Sequence, residues 1–451
     1  MKKILYILFL LPAVLCSQSN KKDNTAEPIR IFGPMLGYVT FNEAHLWLQT
    51  EGAIIPMLQY WDVTKTDVKK LANSTEVNTQ QHIYKFICTT DPGKRYQYKV
   101  LYNLVQYKED SLMFFNTPVV WRYRAPAPDF RIAFGSCHYK NDSTSDRPGK
   151  GYGDNYNRIF NIISDKNPDM MLWLGDNVYL RDPDWTSETG IYNRYKAARS
   201  DVFLERLLRK CPNYAIWDDH DYGSNDANSS FAFKGITTQT FQDYWCNSPG
   251  GIPDFPGITS AFEFNDAQFF LLDNRYFRTI DPANPSYHTV LGEVQREWLK
   301  QSLLRAHDTD FKVICVGGQF LNTAAVFENF ANWDAERTEI LNWIRDNKIH
   351  NVIFLTGDRH FAELSTVCLG EGLTVYDFTT SPLTSGVGRP KATEKNENRV
   401  EGTLYTKDRN FGMLEFQGKG SQRQVHFVLY DKFGSEQWRH TYSREGNAGS
   451  K

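Results

Sequence analysis

The stretch "AIWDDHDYGSND", residues 215–226, places Asp218, Asp219, His220, Asp221 and Asp226 directly after an apolar run. Carboxylates held this close repel and raise one another's pKa, so the cluster needs a metal, a basic partner or solvent to offset it. Similar side chains follow other short apolar runs. "RIAF" leads to Gly135, Ser136 and Cys137, and "MMLWL" to Gly175, Asp176, Asn177 and Tyr179. "QFFLL" leads to Asp273 and Arg275, and "NVIFL" to Gly357, Asp358 and His360. Singly, each is an ordinary cap, turn or core residue. Together they offer thiol, phenol, imidazole and carboxylate donors for metal binding and acid–base chemistry. The glycines before Asp176 and Asp358 allow sharp turns and a close backbone approach to a ligand.

For these residues to meet, the runs must be strands of one α/β unit, because ligands of such sheets bind beyond the carboxyl ends of the strands. Amphipathic helices are expected between them: Tyr156, Ile159, Phe160 and Ile163 share a helical face, as do Leu291, Val294 and Trp298, and Ile340, Leu341 and Ile344. Strands alternating with helices define an α/β fold. The preceding segment reads differently. In "EAHLWLQT" and "YQYKVLY" apolar residues alternate with polar ones, and Asp91-Pro92-Gly93 marks a turn. This predicts a β-sandwich of immunoglobulin or fibronectin type over residues 27–125 and an α/β domain over 126–451, joined at "RAPAPDF". No internal repeat interrupts the chain.

The 451 residues are 41% hydrophobic and 23% charged, with a formal charge of −2. That suits a globular protein with a sizeable core and argues against electrostatic nucleic-acid binding. The first sixteen residues read as a signal peptide: Lys2 and Lys3, an apolar run from Ile4 to Leu15, then Cys16. The run is short for a bilayer span, so export with cleavage is expected. Cys16 resembles the lipidated cysteine of bacterial lipoproteins. The expected destinations are thus the periplasm, outer membrane or cell surface, either anchored through Cys16 or soluble after a cut near Ser17. The other cysteines lack the spacing of a disulfide scaffold, and Cys88 and Cys315 read as buried hydrophobes.

"FGSC", "LGDNVY", "WDDHD" and "TGDRH", in that order, resemble the signature blocks of the alkaline phosphatase D (PhoD-like) metallophosphoesterases, which are similar in site design to purple acid phosphatases. "LLDNRYFR", "LGEVQREWL", "NWDAERTEIL" and "DFTTSPLTS" extend the likeness over most of residues 30–385. The resemblance implies a β-sandwich followed by a catalytic domain of two packed sheets flanked by helices. Three positions depart from the family's pattern: His138, Asp221 and Arg359. No twin-arginine signal is present, which implies export in the unfolded state with metals acquired afterwards.

On this resemblance the metal ligands are Cys137, Asp176, Tyr179, Asp219, Asp358 and His360. Thiolate, phenolate and imidazole suit ferric iron, the carboxylates of Asp219 and Asp358 suit a harder cation such as calcium, and Asp176 is placed to bridge the two. The implied reaction is hydrolysis of a phosphate ester by in-line attack of a metal-bound hydroxide. His220 is the expected proton donor to the leaving oxygen or a hydrogen bonder to the phosphate, and Arg275 a bidentate contact for the phosphate. A lipid or glycan-anchor phosphodiesterase of phospholipase D type is the second reading, with Trp185, Phe231, Phe233 and Trp245 open to two roles, lining an apolar pocket or belonging to the core. A non-catalytic envelope binding protein is the reading of another class. The substrate is accordingly a phosphate-ester small molecule or a lipid. The segment "GRPKATEKNENRV" is open to two roles, a lid over the site or a connection to strands that close the sheet.

Overall fold

The computed structural model describes residues 31–444 except 103–104, 107–112, 147, 150, 154, 282, 285–287 and 371. The expected signal peptide, Cys16 included, lies outside the described residues. No helix among the described residues is long and apolar enough to cross a membrane.

The first unit is antiparallel. Strands β1 (Ile31–Val39), β2 (Glu43–Thr50), β3 (Pro56–Asp62), β4 (Lys70–Asn78), β5 (Ile83–Thr89), β6 (Arg95–Tyr102), β7 (Val105–Gln106) and β8 (Met113–Asn116) form one connected sheet. Its order is β1-β2-β5-β4-β3-β6-β7, with β8 also on β6. Strand β4 pairs with both β5 and β3, so the halves of the sandwich share an edge and approach a barrel. Alternation dictates the core: Leu46, Leu48, Leu58, Tyr60, Tyr96, Tyr98 and Val100 point between the halves while their neighbours face outward.

Beyond Pro128 the pattern becomes α/β. The elements are β9 (Phe130–Gly135), α1 (Ile159–Asp165), β10 (Met170–Leu174), α2 (Glu188–Arg199), α3 (Leu204–Lys210), β11 (Asn213–Ile216), α4 (Asp219–Tyr222) and α5 (Lys234–Tyr244). Then follow β12 (Ser260–Phe264), β13 (Ala267–Leu271), α6 (Glu293–Arg305), β14 (Phe311–Cys315), α7 (Asp334–Asp346) and β15 (Val352–Thr356). Strands β16 (Glu363–Cys368), β17 (Thr374–Thr379), β18 (Asn410–Gln417), β19 (Gln424–Asp431) and β20 (Glu436–Ser443) complete the chain. They build two six-stranded sheets, β11-β10-β9-β18-β19-β20 and β12-β13-β14-β15-β17-β16. The central strands β9–β11 and β13–β15 with β17 run parallel. Strands β10, β14 and β15 are buried along their whole length, as continuous apolar runs covered on both faces must be.

The sheets pack face to face through aromatic contacts: Tyr214 stacks on Phe262 at 4.0 Å and Phe134 meets Phe378 edge-on at 5.0 Å. Helices α6 and α7 cover the second sheet with Leu299, Leu303, Ile340 and Ile344. On the first sheet, Ile159, Phe160 and Ile163 of α1 join the core around Trp173. The α6 face differs from the one expected. Val294 is 49% exposed, and Gln295 turns inward because it accepts from the Asp273 N–H and donates to the Asp273 carbonyl. A polar residue can occupy a core position when its hydrogen bonds are met there.

The antiparallel unit is fastened to this body. The Tyr38 N–H donates to the Cys246 carbonyl at 2.9 Å, Asn213 Nδ2 to the Leu36 carbonyl at 3.2 Å, and Trp47 packs on Tyr244 at 5.5 Å. The C-terminal strands close the first sheet, β18 running antiparallel to β9. The six cysteines of the described residues are free thiols, Cys88 and Cys315 fully buried as expected.

Candidate active site

Each parallel strand delivers its polar residues at the same end. Gly135 closes β9 before Cys137, Leu174 closes β10 before Asp176, Ile216 closes β11 before Asp218, and Thr356 closes β15 before Asp358. The turns are tight. Cys137, Asp176, Asp358 and His360 adopt φ of 62°, 51°, 67° and 58°, the left-handed region that L residues avoid. Such conformations persist where the surroundings enforce them, commonly at functional sites. Gly175, at φ 93°, has no room for a side chain, since a Cβ would lie 2.6 Å from Asp218 Cβ.

The turns bring most of the expected donors together. Donor atoms of Cys137, Asp176 and His360 lie within 4.8 Å of one another, as do those of Asp176, Asp219 and His220. Asp176 belongs to both groups. Tyr179 Oη is 3.4 Å from His360 Nε2, and the Cys137 thiol approaches Asp176 Oδ2 at 3.6 Å. Tyr179 also stacks on His220 with ring centres 4.3 Å apart. Asp219 is fixed by backbone donors, accepting from its neighbour His220 at 2.9 Å and from Asp226 at 2.7 Å. Asp358 clusters with Asp218 and Glu328.

The carboxylates of the opening motif have separate fates. Asp218 is paired with Arg275, whose Nε donates at 2.6 Å, and with Asn274 Nδ2 at 2.7 Å. Asp221 accepts the backbone N–H groups of Asn177 at 2.9 Å, Val178 at 3.1 Å and Asp218 at 3.0 Å, tying the β10 and β11 loops together. Solvent is therefore not what offsets Asp218, Asp219 and Asp221, all of which are buried.

The Arg275 expectation is corrected. Its side chain has no exposed surface and is held between Asp218 and Glu328, with Nη1 2.8 Å from Glu328 Oε1. A guanidinium fully engaged by two carboxylates has no donor fork to offer a phosphate. Its place is that of a positioning residue beneath the donors. Asp273 is likewise structural, accepting from Trp217 Nε1, Ile258 N, Arg275 N and Tyr276 N. Of the four aromatics weighed for an apolar pocket, Trp245 is core, and Trp185, Phe231 and Phe233 are partly buried and pack against that core.

The three departures also acquire roles. His138 is buried edge-on against Phe160, Asp221 acts as the loop tie, and Arg359 donates to Gln319 at 3.1 Å, Asn329 at 2.9 Å and Glu394 at 2.7 Å. The last contact draws the loop after Ser385 alongside the site, and Gly388 N donates to the His360 carbonyl at 2.7 Å. Sequence reasoning missed Glu328, Asn274 and Gly317. A Cβ on Gly317 would meet Asn274 Nδ2 at 2.5 Å and Asp218 Oδ1 at 2.7 Å. The "VGG" after β14 was the available signal for Gly317; Glu328 had none.

The electrostatics show what the cluster needs. Burial, reinforced by Asp219, Asp218, Asp221 and Asp358, raises Asp176 well above the ordinary carboxylate range. Burial and the carboxylates of Asp218, Glu328 and Asp219 do the same to Asp358. The Cys137 thiol and Tyr179 phenol are pushed up, first by burial and then by Asp176. Burial lowers His360 to about 4, leaving a neutral imidazole, the form that ligates metals. Asp218 Oδ2 and His220 Nδ1 are buried without a hydrogen-bond partner among the described residues. A buried, mutually repelling donor set with unmet lone pairs fits cations among these side chains.

The two packed sheets have the fold of solved structures of PhoD and of a purple acid phosphatase. A solved structure of PhoD superposes with a TM-score of 0.70 at 16% identity, covering 92% of each chain. Purple acid phosphatase from yellow lupin (Lupinus luteus) seeds gives 0.66 at 12% identity, over 93% of this chain and 75% of that one. These identities establish the fold. The chain belongs to the PhoD-like phosphatase family, whose match covers residues 143–426, more than half of the sequence. That span includes every expected donor except Cys137. Alkaline phosphatase D of Bacillus subtilis (strain 168) is 26% identical over 284 residues, 52% of this chain and 46% of the relative, so the match spans about half the relative's length.

Proposed function

We propose that this protein is an exported, metal-dependent phosphate-ester hydrolase, with a sandwich over residues 27–125 and the catalytic unit over 126–451. The observation that carries the reading is the shared position of Asp176 between two donor groups, Cys137 with His360 on one side and Asp219 with His220 on the other. Ferric iron suits Cys137, Asp176, Tyr179 and His360, and calcium suits the carboxylate side with Asp219 and Asp358. When bound, two neighbouring cations neutralise phosphate charge and make water more acidic.

The chain's own residues do the rest. Asp176 and Asp358 stand on strained turns and are pre-positioned, so little reorganisation accompanies substrate binding. Arg275 and Asn274 hold Asp218, and Asp221 holds the loop that carries Asp176 and Tyr179. His220, half-buried and stacked on Tyr179, delivers a proton to the departing alkoxide oxygen. Family membership supports the reaction class; the donor set of this chain supports the roles.

The test is turnover by the purified, metal-loaded protein of a soluble phosphomonoester, a soluble phosphodiester and a phospholipid, beside Asp176→Asn. Hydrolysis of a soluble ester that is lost with Asp176→Asn upholds the proposal. Phospholipid as the only substrate would favour the lipid phosphodiesterase, and binding of metals without turnover of any ester would favour the envelope binding protein.

A further inference from the structure

One side chain at the rim is unexplained by packing. Phe327 is 63% exposed and adopts a left-handed backbone at φ 49°, a conformation unfavourable for a bulky aromatic residue. Burial therefore cannot be the reason for either its type or its conformation. The next residue is Glu328, whose carboxylate lies within 4.8 Å of donor atoms of Asp218 and Asp358 in one group and of Asp219 and Asp226 in another. Adjacent Cα atoms are about 3.8 Å apart, so the Phe327 backbone sits at the edge of the donor cluster.

Two cations lie over the ring, which keeps 63% of its surface open. The guanidinium of Arg359, which separates Asp358 from His360, lies 4.9 Å from the ring centre. The Lys391 ammonium lies 5.5 Å from it, exposed and without a carboxylate partner among the described residues. Both cations are on clamped segments. Arg359 is buried and bonded to Gln319, Asn329 and Glu394, and the loop carrying Lys391 is fastened at Gly388 to His360 and at Glu394 to Arg359. Cations near an aromatic ring attract its electron-rich face and limit its motion. The result is a braced ring, open to solvent, beside the segment that bears Asp358 and His360. Tyr179, another aromatic at this centre, is already stacked on His220.

We infer that Phe327, braced by Arg359 and Lys391, forms a leaving-group subsite that stacks the flat aromatic ring of an aryl or nucleoside phosphate ester. This rests on the hydrolase reading above and adds the substrate class. A ring stacked there would bring its ester phosphate toward the donor cluster that the adjoining Glu328 reaches. Lys391 adds a positive charge at the same rim for the ester's anionic group.

The test compares phenyl phosphate, a nucleoside monophosphate and ethyl phosphate, or the matching diesters if diesters are the class hydrolysed. Proteins to compare are the wild type, Phe327→Ala, Phe327→Tyr and, as a control, Phe433→Ala on Phe433, which is 71% exposed in the turn between β19 and β20. Phe327→Ala should reduce the preference for an aromatic over an ethyl leaving group about tenfold, the size of one lost aromatic stack, through KM rather than kcat. Phe327→Tyr should restore it, and Phe433→Ala should leave it unchanged. A fall in preference with either aromatic ester upholds the subsite. An unchanged preference, or equal losses with aromatic and ethyl esters, overturns it. If the wild type hydrolyses no ester, the hydrolase reading fails by itself. Calorimetric binding of phenylphosphonate against ethylphosphonate then decides the subsite: a phenyl preference lost in Phe327→Ala supports it, and equal wild-type affinities refute it.

Discussion

Replacing Arg275 with methionine separates a positioning residue from a phosphate clamp. The wild-type guanidinium is fully buried, paired with Asp218 on one side and Glu328 on the other. Methionine fills similar volume but leaves two carboxylates without their cation. Glu328 keeps Arg278, and Asp218 keeps only the neutral Asn274 amide. Removing one partner of a buried pair costs about 3–5 kcal/mol. With a urea m-value of about 3 kcal/mol/M, that loss moves the unfolding midpoint down by about 1–2 M. The loss should be larger in metal-stripped protein, where no cation remains to neutralise Asp218. Asp218→Asn in the Arg275→Met background should recover part of it, since neighbouring groups do not act additively. The assay is urea denaturation followed by tryptophan fluorescence, with KM measured on the same proteins. A stability change under about 1 kcal/mol together with a tenfold or greater rise in KM would refute this placement of Arg275.

Three further outcomes follow from the same geometry. Burial raises Asp221 from 3.8 to about 8, so the folded chain retains a proton there that the unfolded chain releases above about pH 4. Its contribution is complete below that pH and is lost as pH rises to about 8, at about 1.4 kcal/mol per pH unit. Asp221→Asn should flatten this decline in metal-stripped protein, as read from urea midpoints between pH 5 and 8; an unchanged slope would contradict the assignment. His220→Ala should lower kcat about 10²- to 10⁴-fold for an alkyl ester and much less for a nitrophenyl ester, whose leaving group needs no proton. Equal losses with both esters, metals retained, would remove His220 as the donor. Gly175→Ala should destabilise the protein by more than about 1 kcal/mol and disturb Asp176, because the new methyl group would meet Asp218 at a positive φ. Wild-type stability and activity in that variant would show that the turn is not constrained as described.

The donor set was legible because strand-end chemistry repeats in a parallel sheet. Apolar runs such as "MMLWL" and "NVIFL" declare buried strands, and whatever follows their carboxyl ends shares one rim. Cys137, Asp176, Tyr179, Asp219, Asp358 and His360 are all legible as candidates that way and through their family blocks. Arg275 follows a strand too, yet its side chain turns under the rim, and no periodicity encodes the direction of a long side chain that finds carboxylates on other loops. Glu328 and Phe327 escape for a related reason, being placed by an irregular loop whose sequence marks neither strand nor helix. The sandwich core was visible in the alternation of β2 and β6. The sharing of β4 between its halves was not, since that strand is mostly polar and partly exposed. In α6, reading the inner face from apolar residues alone put Val294 inside, whereas Gln295 lies there on the strength of its bonds to Asp273.

The proposed centre holds iron at Cys137, Asp176, Tyr179 and His360 beside a harder cation at Asp219 and Asp358. Elemental analysis of the purified wild-type protein and of Tyr179→Phe, with a visible absorption spectrum of each, tests it most directly. The expected result is iron and calcium in the wild type and a visible charge-transfer band that disappears in Tyr179→Phe. A colourless wild-type protein free of iron, or a band unchanged by Tyr179→Phe, would contradict it.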